Sequence, residues 1–105
     1  MNRRVRARIE AEIQRELSDI IATEAKDPVL KKTLPDIIGV ELSSNGQKAV
    51  VYVFAAGDES VKEEVLSALG RDRGFLRTEL ARRIHLKRVP SLSFRWEDPL
   101  KEWPL

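Results

Sequence analysis

Ala68-Leu69-Gly70-Arg71-Asp72-Arg73-Gly74-Phe75-Leu76-Arg77 joins the two halves of a helical segment through a glycine-bearing corner. Two glycines four residues apart separate two runs of helical periodicity, and the second run carries basic residues as far as Arg82, Arg83, Lys87 and Arg88. A glycine lets the backbone turn where a Cβ would clash. The helix start beyond it offers free N–H groups and partial positive charge to an anion. Helix, glycine corner and basic helix together predict a phosphate-facing surface, although a plain corner with a solvated basic face has the same pattern.

Working outward, Leu76, Leu80 and Ile84 recur at i, i+4 and i+8 and are expected to face the core. That sends Thr78, Arg82 and His85 to the far side and leaves Arg77 and Arg83 flanking the stripe. Val89-Pro90 is expected to close this helix. Before the corner, Gly57-Asp58 breaks the chain. Ser60 and Glu63 then have capping-box spacing ahead of Val61, Val65, Leu66 and Leu69, a helix expected to stop at Gly70. Beyond the basic helix, Leu92, Phe94 and Trp96 alternate with Ser91, Ser93 and Arg95 as a strand, and from Asp98 the tail shows no periodicity.

The first half supplies the rest of the sheet. Residues 37–43 alternate as a strand, Ser44-Asn45-Gly46-Gln47 gives a hairpin turn, and residues 48–55 are apolar at both parities, which suits a middle strand. Val5, Ile9, Ile13, Leu17, Ile20 and Ile21 form one stripe of a long amphipathic helix that Asp27-Pro28 ends, with a loop expected over residues 29–36. Arg4, Arg8 and Arg15 make a basic ridge on its other side. Arg8 with Glu12 and Arg15 with Asp19 are also i,i+4 partners that need do no more than solvate a helix.

The net charge of +2 hides blocks of opposite sign: +4 over residues 1–8, −6 over 9–70, +5 over 71–88 and −1 over 89–105. Such asymmetry is expected of a protein that sets one face against a polyanion. At 105 residues the chain is expected to be a single domain, residues 1–105, with 98–105 as an irregular tail. The opening Met-Asn-Arg-Arg does not read as a secretory signal, no apolar run is long enough to span a bilayer, and without cysteine a cytoplasmic setting is the expectation. No nucleophile, base and acid set, metal-ligand cluster, phosphate loop or paired catalytic carboxylate can be assembled. No enzyme, cofactor or metal is therefore expected. Tyr52, Phe54, Phe94 and Trp96 are candidates for base stacking, but residues of this kind are mostly core in a helix-covered sheet.

A crossover holding two helices places the third strand parallel to the second. The expected fold is α+β, in the order α-β-β-α-α-β, with a three-stranded mixed sheet and helices on one face. This order, with a glycine-containing corner between two helices, resembles the second topological type of the KH domain, whose corner clamps the backbone of single-stranded nucleic acid. Lys26-Asp27-Pro28-Val29-Leu30, Val50-Val51-Tyr52-Val53, Gly74-Phe75-Leu76-Arg77 and Arg88-Val89-Pro90-Ser91-Leu92-Ser93-Phe94 resemble, over nearly the whole chain, the ribosome-binding factor A family, whose fold is KH-like. That family has Ala-x-Gly at the corner, where this chain has Asp72-Arg73-Gly74. The carboxylate of Asp72 would repel a phosphate there or cap the second helix.

The resemblance implies a cytoplasmic, monomeric ribosome biogenesis factor without catalytic activity. It would bind the immature small (30S) ribosomal subunit and its ribosomal RNA during late maturation and rRNA processing. Its expected RNA-binding residues are Arg4, Arg8, Arg73, Gly74, Arg77, Arg82, Arg83, Lys87 and Arg88. The competing reading is a protein-interaction module whose basic face docks an acidic partner.

Overall fold

The structure, a computed structural model, describes residues 1–101; the last four residues of the expected irregular tail, with Trp103 and Pro104, lie outside the described residues. Helix α1, Arg3–Glu24, starts where the Asn2 side chain accepts a hydrogen bond from the Val5 N–H at 2.8 Å. Its stripe is buried at Ile13, Leu17, Ile20 and Ile21, half-buried at Ile9 and open at Val5. The expected loop over 29–36 instead contains a short helix, α2, Pro28–Thr33. Asp27-Pro28 ends one helix and begins the next: the Asp27 carboxylate accepts from the Val29 N–H at 2.9 Å, Pro28 sits at the first helical position, and Leu30 is buried.

Strand β1, Asp36–Leu42, pairs antiparallel with β2, Lys48–Phe54, and β3, Ser91–Trp96, pairs parallel with β2, which is the middle strand as expected. The hairpin turn holds Gly46 at φ +73°, a conformation that glycine tolerates best. One parity of β2, with Ala49, Val51 and Val53, is buried beneath the helices, and the other, with Val50, Tyr52 and Phe54, is half-buried. Phe94 and Trp96 pack against the core, and Trp96 also lies 5.4 Å from the Phe54 ring. The outer edge of β1 is closed by α1: Glu10 accepts from the Leu42 N–H at 2.7 Å, and the Gln14 amide donates to the Ile37 carbonyl at 3.0 Å. Such capping blunts an edge that could otherwise pair with another chain.

Helix α3, Glu59–Arg71, begins earlier than the Ser60/Glu63 spacing suggests, because Asp58 is the N-cap and accepts from the N–H groups of Ser60 and Val61. The Ser60 hydroxyl donates to the same carboxylate, and these bonds hold Asp58 below the usual carboxylate pKa. Helix α3 continues through Gly70, α4 spans Arg73–Arg83, and Asp72, at φ −89° and ψ 3°, is the single residue between them. Gly70 and Gly74 are therefore helical, and neither has a positive φ. The corner is made at Asp72. A Cβ on Gly74 would meet nothing within 4 Å, so the backbone there is not held open by crowding.

Leu76, Leu80 and Ile84 are buried, but α4 ends before Val89-Pro90, and Ile84 is already extended at φ −114°. Residues 84–90 form a connection that reverses the chain into β3. Lys87 and Arg88 thus lie on this connection and not on the helix. Among the described residues no helix is long and apolar enough to cross a membrane.

Candidate nucleic-acid interface

The two corners of the helical layer are tied together. Arg71 donates from Nε to the Asp27 carboxylate at 2.9 Å, the Asp72 carboxylate accepts from the Asp27 N–H at 3.3 Å, and Lys26 lies 5.2 Å from the Phe75 ring centroid. The Asp27 side chain is only 8 % exposed; the Arg71 guanidinium, aided by the Val29 N–H, holds its pKa below the usual carboxylate value. Asp72 makes no side-chain capping bond to α4, contrary to its expected role as a cap. Its carboxylate ties the corner to the α1–α2 connection instead.

The arginines of α4 divide into two kinds. Arg83 reaches back to α1, where its guanidinium pairs with Glu16 at 3.3 Å and also with Asp19 and Glu24. Three carboxylates around one half-buried guanidinium raise its pKa further and leave it little free valence for phosphate. Asp19 is consequently paired with Arg83, and Arg15 lies beside Glu16. Arg77 donates to the carbonyls of Val89 at 2.8 Å and Pro90 at 3.2 Å, holding the entrance to β3. Arg82, with a side chain 72 % exposed, lies 3.5 Å from Glu79.

Arg73 and Gly74 are exposed at the first turn of α4. Together with Arg77, Lys48 and residues 91–93 of β3 they line a groove of about 590 Å³ whose wall has no carboxylate among the described residues. Lys48 enters because it stands beside Ser91 in the parallel register. A second groove, of about 520 Å³, lies beyond the rung in which the Ser91 N–H donates to the Gln47 carbonyl at 2.9 Å. Lys87 and Arg88 line it together with Met1, Ile9, Leu42 and Leu86, again without a carboxylate among the described residues. On the other side of the hairpin, Arg3, Arg6 and Lys48 share a groove with Glu10 and Glu41, so its charge is mixed.

The structure thus brings Arg73, Gly74, Arg77, Lys87 and Arg88 to two adjoining acid-free grooves. Arg4 and Arg8 are exposed on α1 but line neither groove, and Arg82 and Arg83 also stand apart from them. Lys48, Ser91 and Ser93 went unnoticed in the sequence because their place depends on strand register. The lone lysine that opens an otherwise apolar strand was the available signal.

The model of the family described as ribosome-binding factor A matches residues 5–103. The chain belongs to the ribosome-binding factor A family. The crystal structure of ribosome-binding factor A from Thermus thermophilus is 37 % identical with a TM-score of 0.73, covering 86 % of this chain and 93 % of that one. The solution NMR structure of a Thermotoga maritima protein assigned as ribosome-binding factor A is 33 % identical with a TM-score of 0.76, covering 100 % of this chain and 98 % of that one. A Thermus thermophilus ribosome-binding factor A, fitted as a homology model into the electron cryo-microscopy map of a 30S complex with that factor, is 34 % identical with a TM-score of 0.69, covering 85 % and 91 %. These similarities agree with the α+β fold and mixed three-stranded sheet read from the sequence.

Proposed function

We propose that this protein is a cytoplasmic, monomeric and non-catalytic assembly factor of a single KH-like domain. It binds the immature small (30S) ribosomal subunit and its ribosomal RNA during late maturation and rRNA processing. The observation that carries this reading is the pair of adjoining grooves whose walls hold Lys48, Arg73, Arg77, Lys87 and Arg88 and, among the described residues, no carboxylate. Family membership and the 30S complex of the Thermus relative support the choice of the small subunit. Cations aligned along a groove, with helix α4 opening at one end, fit a phosphate backbone.

Arg73, Gly74, Lys87, Arg88 and Lys48 are the contacts in this reading. Arg77 supports the groove through its bonds to Val89 and Pro90, and Arg4, Arg8 and Arg82 are peripheral exposed cations. Arg83 belongs to the fold. Affinity then comes chiefly from phosphates and RNA shape, with each contact releasing counterions. Sedimentation of the protein with immature small subunits, before and after nuclease treatment, tests the reading. Nuclease-sensitive retention is expected; retention that survives complete digestion of the RNA would favour a docked acidic protein and overturn it.

A further inference from the structure

We infer that the groove beside the hairpin turn is a nucleobase pocket that selects a keto base, uracil or guanine, from a single-stranded segment of the bound RNA. The inference rests on the proposed RNA-binding function and adds base selection to it. Its volume of about 520 Å³ leaves room for a base. Its apolar lining comes from Met1, whose side chain lies against Gly46, and from Ile9, Leu42 and Leu86, which suits the flat face of a base. Lys87 and Arg88 in the same lining supply charge complementarity for the phosphates on either side of it.

Asn45 gives the pocket its polarity. Its Oδ1 already accepts from the Gln47 N–H at 3.0 Å and from the Ser43 hydroxyl at 2.7 Å. The Ser43 oxygen in turn accepts from the Lys48 N–H at 3.0 Å, so its proton is directed at Asn45. These bonds fix the amide and, among the described residues, leave its NH₂ group without an acceptor, a donor that is oriented before any ligand arrives. With Lys87 and Arg88 the pocket offers mainly donors. Uracil and guanine present carbonyl acceptors at the edge where cytosine and adenine present an amino group. The exposed Gln47 amide can accept from the ring N–H of either keto base.

The test is an NMR titration of the ¹⁵N-labelled full chain with the single-stranded RNAs U8 and C8, alongside sedimentation with small subunits. U8 is expected to bind at least about five-fold tighter than C8 and to shift the Asn45 side-chain NH₂ resonances. Asn45→Asp keeps the acceptor for the turn but replaces the free donor by an acceptor. Its affinities for both oligomers fall, and the U8 to C8 ratio is expected to drop to about one or below. Lys87→Gln should weaken both oligomers alike and preserve the ratio. Equal binding of U8 and C8 by the parent, or a ratio unchanged in Asn45→Asp, overturns the pocket, as does failure of both oligomers to bind while subunits still sediment with the protein. Loss of subunit binding by the parent protein would instead count against the proposed function.

Discussion

Arg83 and Arg73 stand at opposite ends of α4, and their surroundings differ completely. Arg83 is held by Glu16, Asp19 and Glu24 of α1, whereas Arg73 is exposed beside Lys48 and β3 with no carboxylate among the described residues of the groove wall. A guanidinium enclosed by carboxylates is a strut between helices. One that faces other cations is left with an unmet demand for anions, which a polyphosphate satisfies. Basic residues of one helix are therefore tied into the fold or left open to solvent according to partners far away in sequence, and a count of charges cannot separate them.

The largest expected effect breaks the strut. Arg83→Ala leaves three carboxylates facing one another and should cost about 1–2 kcal/mol, a fall in Tm of about 5–15 °C by calorimetry. RNA affinity, measured well below the new Tm, should be preserved. A variant with unchanged Tm and weakened RNA binding would move Arg83 to the ligand side of the comparison.

Gly74 sharpens the other end. Because it is helical and its missing Cβ points at open space, Gly74→Ala should raise stability by about 0.5–1 kcal/mol in urea unfolding. A loss of stability would show that the corner needs a glycine after all. Gly57 is the contrasting case: at φ +140°, a Cβ there would lie 2.5 Å from the Val61 side chain.

Asp27 marks the structural side by its response to pH. Its carboxyl is held below the ordinary value by Arg71, so its stabilising effect is fully present above about pH 4 and is lost as the pH falls through the folded-state value. Asp27→Asn should lower the urea midpoint at neutral pH and flatten its decline into acid. An unchanged acid decline would remove Asp27 from the brace. The smallest expected effect belongs to Asp72→Ala, since its carboxylate bonds to the Asp27 N–H and does not line either acid-free groove. RNA affinity at low salt should change by less than about two-fold, and a clear tightening would show that the charge opposes phosphate.

Much of the fold was legible because its signals are periodic and local. The stripe of α1, the Asn45-Gly46 turn and the two-sided apolar pattern of β2 needed no tertiary information. The short α2 was missed because Pro28 is at once a stop for α1 and a favoured first residue for another helix, and only burial of Leu30 makes the second role visible. The end of α4 was misplaced because Ile84 keeps the helical spacing while its backbone is already extended. The exposure of Arg73 and Gly74 at the start of α4 was legible from the corner itself. The roles of Arg77 and Arg83 were not, since their partners are carbonyls at Val89 and Pro90 and carboxylates on α1. Lys48 became visible only when the parallel register set it beside Ser91.

The proposed function places RNA phosphates in the two basic grooves and not along the helix charge as a whole. Its most direct test is the salt dependence of affinity for small-subunit RNA in the parent, in Arg83→Ala, and in a variant carrying Lys48→Gln, Arg73→Gln and Arg88→Gln. Each lost phosphate contact should make the slope of log affinity against log salt shallower by about 0.7–0.9. The triple variant should therefore lose about 2.1–2.7 units of slope, bind more weakly to all RNA sequences, and keep its circular dichroism spectrum, while Arg83→Ala keeps the parent slope. A triple variant with the parent's slope and affinity would contradict the claim.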